Sequence, residues 1–317
     1  MAKIIGIDHM TFGVKDLEQR ITTFKRVFGA APLFKLEQGS HMEISFELGG
    51  KIINLISKPE DGGREGLDHI GLAVDDLKGL KDILKTNGVE ISPYRHESEK
   101  SKREGIYIAK SVFPAPIQIV NWENNRPPSI EDWVSTIKNN TDKNQFIDLR
   151  SDSINDVSTA TTRAKIINLD HVCFAVKDRA KTVEFAENIL GCKALASGSR
   201  GGETYQTFMD IGGHIFNFVT APMEGNSFFA DFLRKKGEAL HHIGFSVDSL
   251  DAFKEGMAAN GIQIPKWELE GDPEIRDEVL IGTKHIPTVF QIIQWTNTPP
   301  SSVEEWMALE EQYTAGN

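Results

Sequence analysis

Cysteine is almost absent from this 317-residue chain, which carries only Cys173 and Cys192. Two thiols cannot build a disulfide framework, and such sparse use fits a reducing cytoplasm, where the protein is expected. Both read as small core fillers. No apolar run approaches the roughly 20 residues that a membrane span needs. The opening Met1-Ala-Lys-Ile-Ile lacks the apolar stretch of a signal peptide, so no membrane partner is expected. Positive charge is also short, with 35 Lys and Arg against 46 Asp and Glu and a net charge of −11. That balance argues against nucleic acid, whose binders need concentrated cations to displace counterions. The densest basic run, Lys100 to Arg103, sits among Glu97, Glu99 and Glu104 and reads as a solvated loop.

What the chain does have is an ordinary globular composition, 39% hydrophobic and 26% charged, and enough length for two domains. It also has an internal repeat. Ile7-Asp-His-Met-Thr-Phe-Gly-Val14 returns as Leu169-Asp-His-Val-Cys-Phe-Ala-Val176, which sets His9 against His171, 162 positions on. Helical patterns follow and stop at Gly29 and Gly191, glycine being a common helix terminator. Gly49-Gly-Lys-Ile-Ile-Asn-Leu55 matches Gly212-Gly-His-Ile-Phe-Asn-Phe218, setting Asn54 against Asn217. Leu67-Asp-His-Ile-Gly matches Leu240-His-His-Ile-Gly, which pairs His69 with His242. Ile117-Gln-Ile-Val-Asn-Trp122 matches Phe290-Gln-Ile-Ile-Gln-Trp295, which pairs Gln118 with Gln291.

Ten extra residues precede the second His242 strand, and Phe228, Phe229, Phe232 and Leu233 among them are spaced for one face of a short helix. Each copy ends in a Ser-capped helix at Ser129 or Ser302. The stretch between the copies is rich in Asn, Asp, Ser and Thr. The reading is therefore a first domain over 1–138, a polar linker over 139–165 and a second domain over 166–317. Within each copy a strand, turn and helix pattern occurs twice, giving four βαβββ units. Each is too small to bury a large core by itself, so the units should pair.

Strand side chains alternate faces. Met10, Phe12 and Val14 then share a greasy face, while His9, Thr11 and Gly13 share a smaller and more polar one. The strands bearing His69 and His242 divide in the same way. Asn54, Asn217, Gln118 and Gln291 stand mid-strand among apolar residues, where an unpartnered amide would cost about 1 to 3 kcal/mol. Two readings fit. The polar positions could bond one another within a closed sheet, or they could line an open cup that holds a metal or ligand.

These motifs resemble the vicinal oxygen chelate superfamily, which includes glyoxalase I, methylmalonyl-CoA epimerase, fosfomycin-resistance proteins, extradiol dioxygenases and 4-hydroxyphenylpyruvate dioxygenase. The resemblance implies an α+β fold in which four βαβββ units form two tandem domains with cupped mixed sheets. It also implies metal positions at His9, His69 and Gln118 in the first domain and at His171, His242 and Gln291 in the second, with Asn54 and Asn217 lining the cups. Phe290-Gln-Ile-Ile-Gln and Ala239-Leu-His-His-Ile-Gly are most similar to the hydroxyphenylpyruvate dioxygenase motifs.

Gln118 and Gln291 stand where such relatives carry a glutamate. An amide neither neutralises a divalent ion nor accepts a proton as a carboxylate does. An ion held by two imidazoles and an amide keeps its full charge and favours an anionic chelating substrate, such as an α-keto acid, a catechol or an enediol. Three functions follow from the resemblance. The first is an Fe(II) or Mn(II) dioxygenase. The second is a lyase or isomerase that draws its base from Tyr205, His285 or His41. The third is a protein that binds a small molecule without catalysis.

Overall fold

A computed structural model of the chain describes residues 2–38, 41–57, 65–94, 103–110, 112–122, 127–141, 145–150, 164–199, 203–264 and 275–315. Most of the basic run, Lys100 to Lys102, lies outside these residues, as do residues 142–144 and 151–163 of the connection.

The four quarters are visible in the element order. The first comprises β1 (Ile4–Val14), α1 (Leu17–Phe28), β2 (Pro32–Gln38), β3 (His41–Leu48) and β4 (Lys51–Ser57). The second comprises β5 (Gly66–Val74), α2 (Leu77–Thr86), β6 (Ile91–Tyr94), β7 (Arg103–Ile108) and β8 (Ile117–Trp122). Helix α3 (Ile130–Asn140) and the short β9 (Phe146–Asp148) follow. The third quarter has β10 (Ile166–Ala175), α4 (Arg179–Asn188), β11 (Lys193–Ser199), β12 (Tyr205–Asp210) and β13 (Ile215–Thr220), then the added helix α5 (Phe228–Lys236). The fourth has β14 (Ala239–Val247), α6 (Leu250–Ala259), β15 (Arg276–Ile281) and β16 (Val289–Trp295), and α7 (Val303–Ala315) closes the described chain.

Each quarter's helix starts on a side-chain cap. Asp16, Asp76, Asp178 and Ser249 accept from the backbone N–H of Gln19, Gly79, Lys181 and Ala252, which satisfies one of the free donors of the first turn. Helix α1 stops at Gly29 with φ 61°, as its sequence suggests. Helix α4 stops earlier, capped by Ile189, and the left-handed Gly191 comes two residues later. Part of the polar connection is itself a strand, since β9 pairs antiparallel with β2, Phe146 opposite Leu36.

The strands form two mixed sheets, in the orders β6-β7-β8-β5-β1-β4-β3-β2-β9 and β11-β12-β13-β10-β14-β16-β15. The repeat survives as register. Thr11 lies opposite Asn54 in the parallel β1–β4 pair, and Cys173 lies opposite Asn217 in the parallel β10–β13 pair.

The chain condenses into two compact units, each drawing on both halves of the sequence. One contains Met1–Asp8, Asp68–Arg126 and His171–His242. Its aromatic core sets Phe113 against Phe174 and Phe218 at ring distances of 5.6 Å. Gly212 there, at φ 63°, approaches the backbone of Gly6 so closely that a Cβ would sit 2.4 Å from its nitrogen. The other unit contains His9–Leu67, Pro127–Asp170 and Ile243–Asn317. In its core Phe28 meets Phe253 at 5.8 Å and Phe290 at 5.3 Å, joining α1 to α6 and β16. The Asp that precedes each first-strand histidine is buried for a structural reason. Asp8 accepts from the Trp122 indole at 2.9 Å, and Asp170 accepts from Trp295 at 2.8 Å, the same bond in both copies.

Candidate functional site

The first-half positions are polar strand residues packed among apolar neighbours. His9 is buried on β1. Asn54 bridges three strands, accepting from Ser45 Oγ at 2.8 Å and donating to Thr11 Oγ1 at 3.4 Å, so part of its amide is spent within the sheet. On β5 the His69 Nδ1 lies 2.9 Å from Asp68 Oδ2. An ionised carboxylate only accepts, so Nδ1–H donates in this contact. Beside that ring, at 5.5 Å and edge-on, stands Tyr107. The Tyr107 hydroxyl accepts from Gln118 Nε2 at 3.0 Å.

In the second half β10 and β14 bring His171 and His242 together, with their Nε2 atoms 2.9 Å apart. His242 also meets His241, Nδ1 to Nδ1 at 2.7 Å. With one proton on each ring, three imidazoles in a row are ordered in one sense. If His242 accepts from His171 it donates to His241, and the reverse arrangement reverses both bonds. Cys173 joins them, its Sγ and one ring nitrogen each of His241 and His242 lying within 4.8 Å of one another, all buried. Asn217 donates to Gln206 Oε1 at 3.1 Å.

Gln291 on β16 donates to Glu278 Oε2 on β15 at 2.7 Å. Glu278 in turn pairs with Arg276 at 3.0 Å, and Arg276 reaches Glu310 of α7 at 2.7 Å. The amide at position 291 is therefore not remote from negative charge, because a buried carboxylate stands beside it.

Among the described residues, Gln118 Oε1 and Asn217 Oδ1 are buried with no hydrogen-bond partner. Each such oxygen costs about 1 to 3 kcal/mol unless something else satisfies it. Of the three candidate bases, Tyr205 is half exposed at the start of β12, and the His41 side chain lies outside the described residues. His285 is held below the usual imidazole range by burial first, then by the charges of Lys284 and Arg20, so it is neutral at neutral pH.

Sequence reasoning missed Tyr107, Gln206, Cys173, His241 and Glu278 as site neighbours. For Cys173 the signal was present, since it lies two residues from His171 and so shares its strand face.

Paired histidine strands in four quarters, three of them βαβββ and the fourth βαββ among the described residues, with buried amides on neighbouring strands, define the chain as a cupped-sheet protein of the vicinal oxygen chelate kind. Models of the Glyoxalase/Bleomycin resistance protein/Dioxygenase superfamily match residues 6–109 and 170–276, and the chain belongs to that superfamily. The metallothiol transferase FosB of Shouchella clausii is 28% identical over 108 residues, which is 32% of this chain and 71% of that protein. A triple variant of 4-hydroxymandelate synthase from Streptomyces coelicolor has a similar fold, with a TM-score of 0.67 at 14% identity and 98% of both chains covered. So does 2,2′,3-trihydroxybiphenyl 1,2-dioxygenase from Sphingomonas wittichii, with a TM-score of 0.59 at 14% identity and 96% and 94% of the two chains covered. Among the described residues no helix is long and apolar enough to cross a membrane.

Proposed function

We propose that the chain is a divalent-metal-dependent enzyme of the non-haem dioxygenase type, acting on a small substrate that chelates through adjacent oxygens: an α-keto acid, a catechol or an enediol. The observation that carries this reading is the approach of His171 and His242. Two imidazole nitrogens each about 2.0 to 2.1 Å from one ion, at right angles to each other, lie about 3 Å apart. The observed 2.9 Å fits that spacing. The donor set also fits, because neutral imidazole suits Fe(II) as well as harder and softer neighbours in the series.

An ion at His171 and His242 would supply Lewis acidity toward the chelating oxygens and, as Fe(II), redox chemistry with dioxygen. The chain's own residues do the rest. If His242 ligates through Nε2, its Nδ1 proton goes to His241, which fixes the ring and raises its basicity. The unpartnered oxygen of Asn217 is an acceptor that a substrate hydroxyl would satisfy. Phe229, Ala230 and Leu233 of α5 pack with Cys173, Ala175 and Val219, covering that strand face and keeping water from it.

A lyase or isomerase is the second reading, favoured by Asp68 and His69. A carboxylate that orients an imidazole beside the Tyr107 ring is an arrangement suited to moving a proton. Oxygen-electrode measurements on Fe(II)-loaded and Mn(II)-loaded protein separate the two. Metal-dependent oxygen uptake with a catechol or α-keto acid supports the dioxygenase. Substrate conversion without oxygen uptake supports the lyase or isomerase, and tight ligand binding without conversion would mean a binding protein.

A further inference from the structure

The two copies serve as an internal comparison. In the first half, Thr11 and Asp68 occupy the positions that Cys173 and His241 occupy in the second, immediately around the repeated histidines. Oxygen donors at both positions have become a thiol and an imidazole. Those two changes meet in space, with Cys173 Sγ and a nitrogen each of His241 and His242 within 4.8 Å of one another. A third feature is also confined to the second half. Helix α5, which falls in the ten-residue insertion of the second copy, places Phe228, Phe229 and Phe232 around the His241 ring at 5.0, 4.5 and 4.8 Å. Phe229 and Leu233 of the same helix pack in one cluster with Cys173.

We propose that Cys173, His241 and His242 form a thiolate and imidazole site for a thiophilic divalent ion of the Zn(II) class, closed over by α5. Thiolate with imidazole is the donor set such an ion prefers over carboxylate and water. Zn–S and Zn–N bonds of about 2.3 and 2.0 to 2.1 Å put tetrahedral donors about 3.3 to 3.6 Å apart. Donors already within 4.8 Å reach that spacing by side-chain rotation of about an ångström. On binding, the Cys173 thiol gives its proton to solvent and its sulfur lone pair to the ion, and both imidazoles bind as neutral donors. Three protein donors fill three of the four positions of a tetrahedral ion, and the phenylalanines of α5 surround the His241 donor. The site goes beyond the oxygenase reading and shares His242 with it; a neutral imidazole offers one lone pair, so His242 serves one ion at a time.

The chain's two cysteines allow a direct test with Co(II) added to full-length, chelator-treated protein. Wild type and Cys192→Ser, which leaves Cys173 as the only thiol, are expected to develop a near-ultraviolet thiolate-to-cobalt charge-transfer band. The band should saturate at one equivalent, disappear when Zn(II) is added, weaken at least tenfold in apparent affinity in His241→Ala, and be lost in Cys173→Ser. Co(II) uptake without that band, no uptake at all, or a band that persists in Cys173→Ser overturns the proposal. A Co(II) spectrum without thiolate leaves the oxygenase reading standing. A thiolate band in protein that shows no metal-dependent oxygen uptake does the opposite.

Discussion

The Nε2 atoms of His171 and His242 lie 2.9 Å apart, although 71 residues separate them in sequence. His242 is the middle of the row, touching His171 through one ring nitrogen and His241 through the other. Replacing it with alanine strips a partner from each neighbour, and both are buried. Without metal, His242→Ala is expected to lose about 2 to 3 kcal/mol, and His171→Ala, which removes a single contact of the row, somewhat less. Urea unfolding of the metal-free protein measures both, and equal stability of His242→Ala and wild type would mean that the row contributes nothing.

Gln291→Glu and Gln118→Glu, alike in sequence, should behave differently. At 291 the new carboxylate meets Glu278, the present partner of the amide at 2.7 Å. Like charge and burial together raise the pair's apparent pKa above the ordinary carboxylate range. Stability is then full below that range and lost as pH rises through the raised value. Gln291→Glu should match wild type near pH 4 and fall a few kcal/mol below it at pH 7, with a divalent ion narrowing the gap. At 118 the neighbour is the Tyr107 hydroxyl, which can turn from acceptor to donor. Gln118→Glu keeps that one hydrogen bond but buries a charge whose other oxygen has no partner. It too should lose stability as pH rises, by less than Gln291→Glu, which also faces a second carboxylate, and thermal unfolding across pH 4 to 8 checks both.

Desolvation first, and then the charge of Asp210, push the Cys192 thiol up to about 12. At pH 8 only about one part in 10⁴ is thiolate, against roughly a quarter for an unperturbed thiol. Iodoacetamide at pH 8 should leave Cys192 unmodified in the native protein and modify it in urea, as peptide mass spectrometry would show. Rapid native labelling would mean that the thiol is not desolvated.

Helix α5 gives a contrast between neighbouring rings. Phe229 is buried and packs with Cys173 and Val219, whereas Phe228 is about half exposed. Phe229→Ala is expected to cost about 3 to 4 kcal/mol, and Phe228→Ala about 1 kcal/mol or less. Denaturant unfolding of the two variants tests whether α5 is a fixed cover, and similar small losses would mean that it is loosely held.

Much of this was legible because repetition and period two survive in any strand. The repeated histidines, the capped helices and α5 all follow from spacing, and Phe228, Phe229, Phe232 and Leu233 alone predict the helix. The grouping of quarters was not legible. The contact of Phe28 with Phe253 and Phe290 is made by greasy side chains whose patterns would suit any partner. Glu278 was missed because a charged residue in the Arg276-Asp-Glu run reads as solvent-facing until its pairing with buried Arg276 and its bond to Gln291 are seen. His241 was missed because adjacent strand residues ideally point to opposite faces, whereas here the two neighbouring rings turn to meet, Nδ1 to Nδ1.

The central claim, that His171 and His242 hold a divalent ion, is tested most directly by anaerobic calorimetric titration of chelator-treated Cys173→Ser protein with Fe(II) and with Mn(II). Removing the thiol isolates the histidine pair from any thiolate site. The account predicts saturable binding in that background, weakened at least a hundredfold when His171→Ala or His242→Ala is added. Binding that survives both histidine changes, or no binding before either is made, would contradict it.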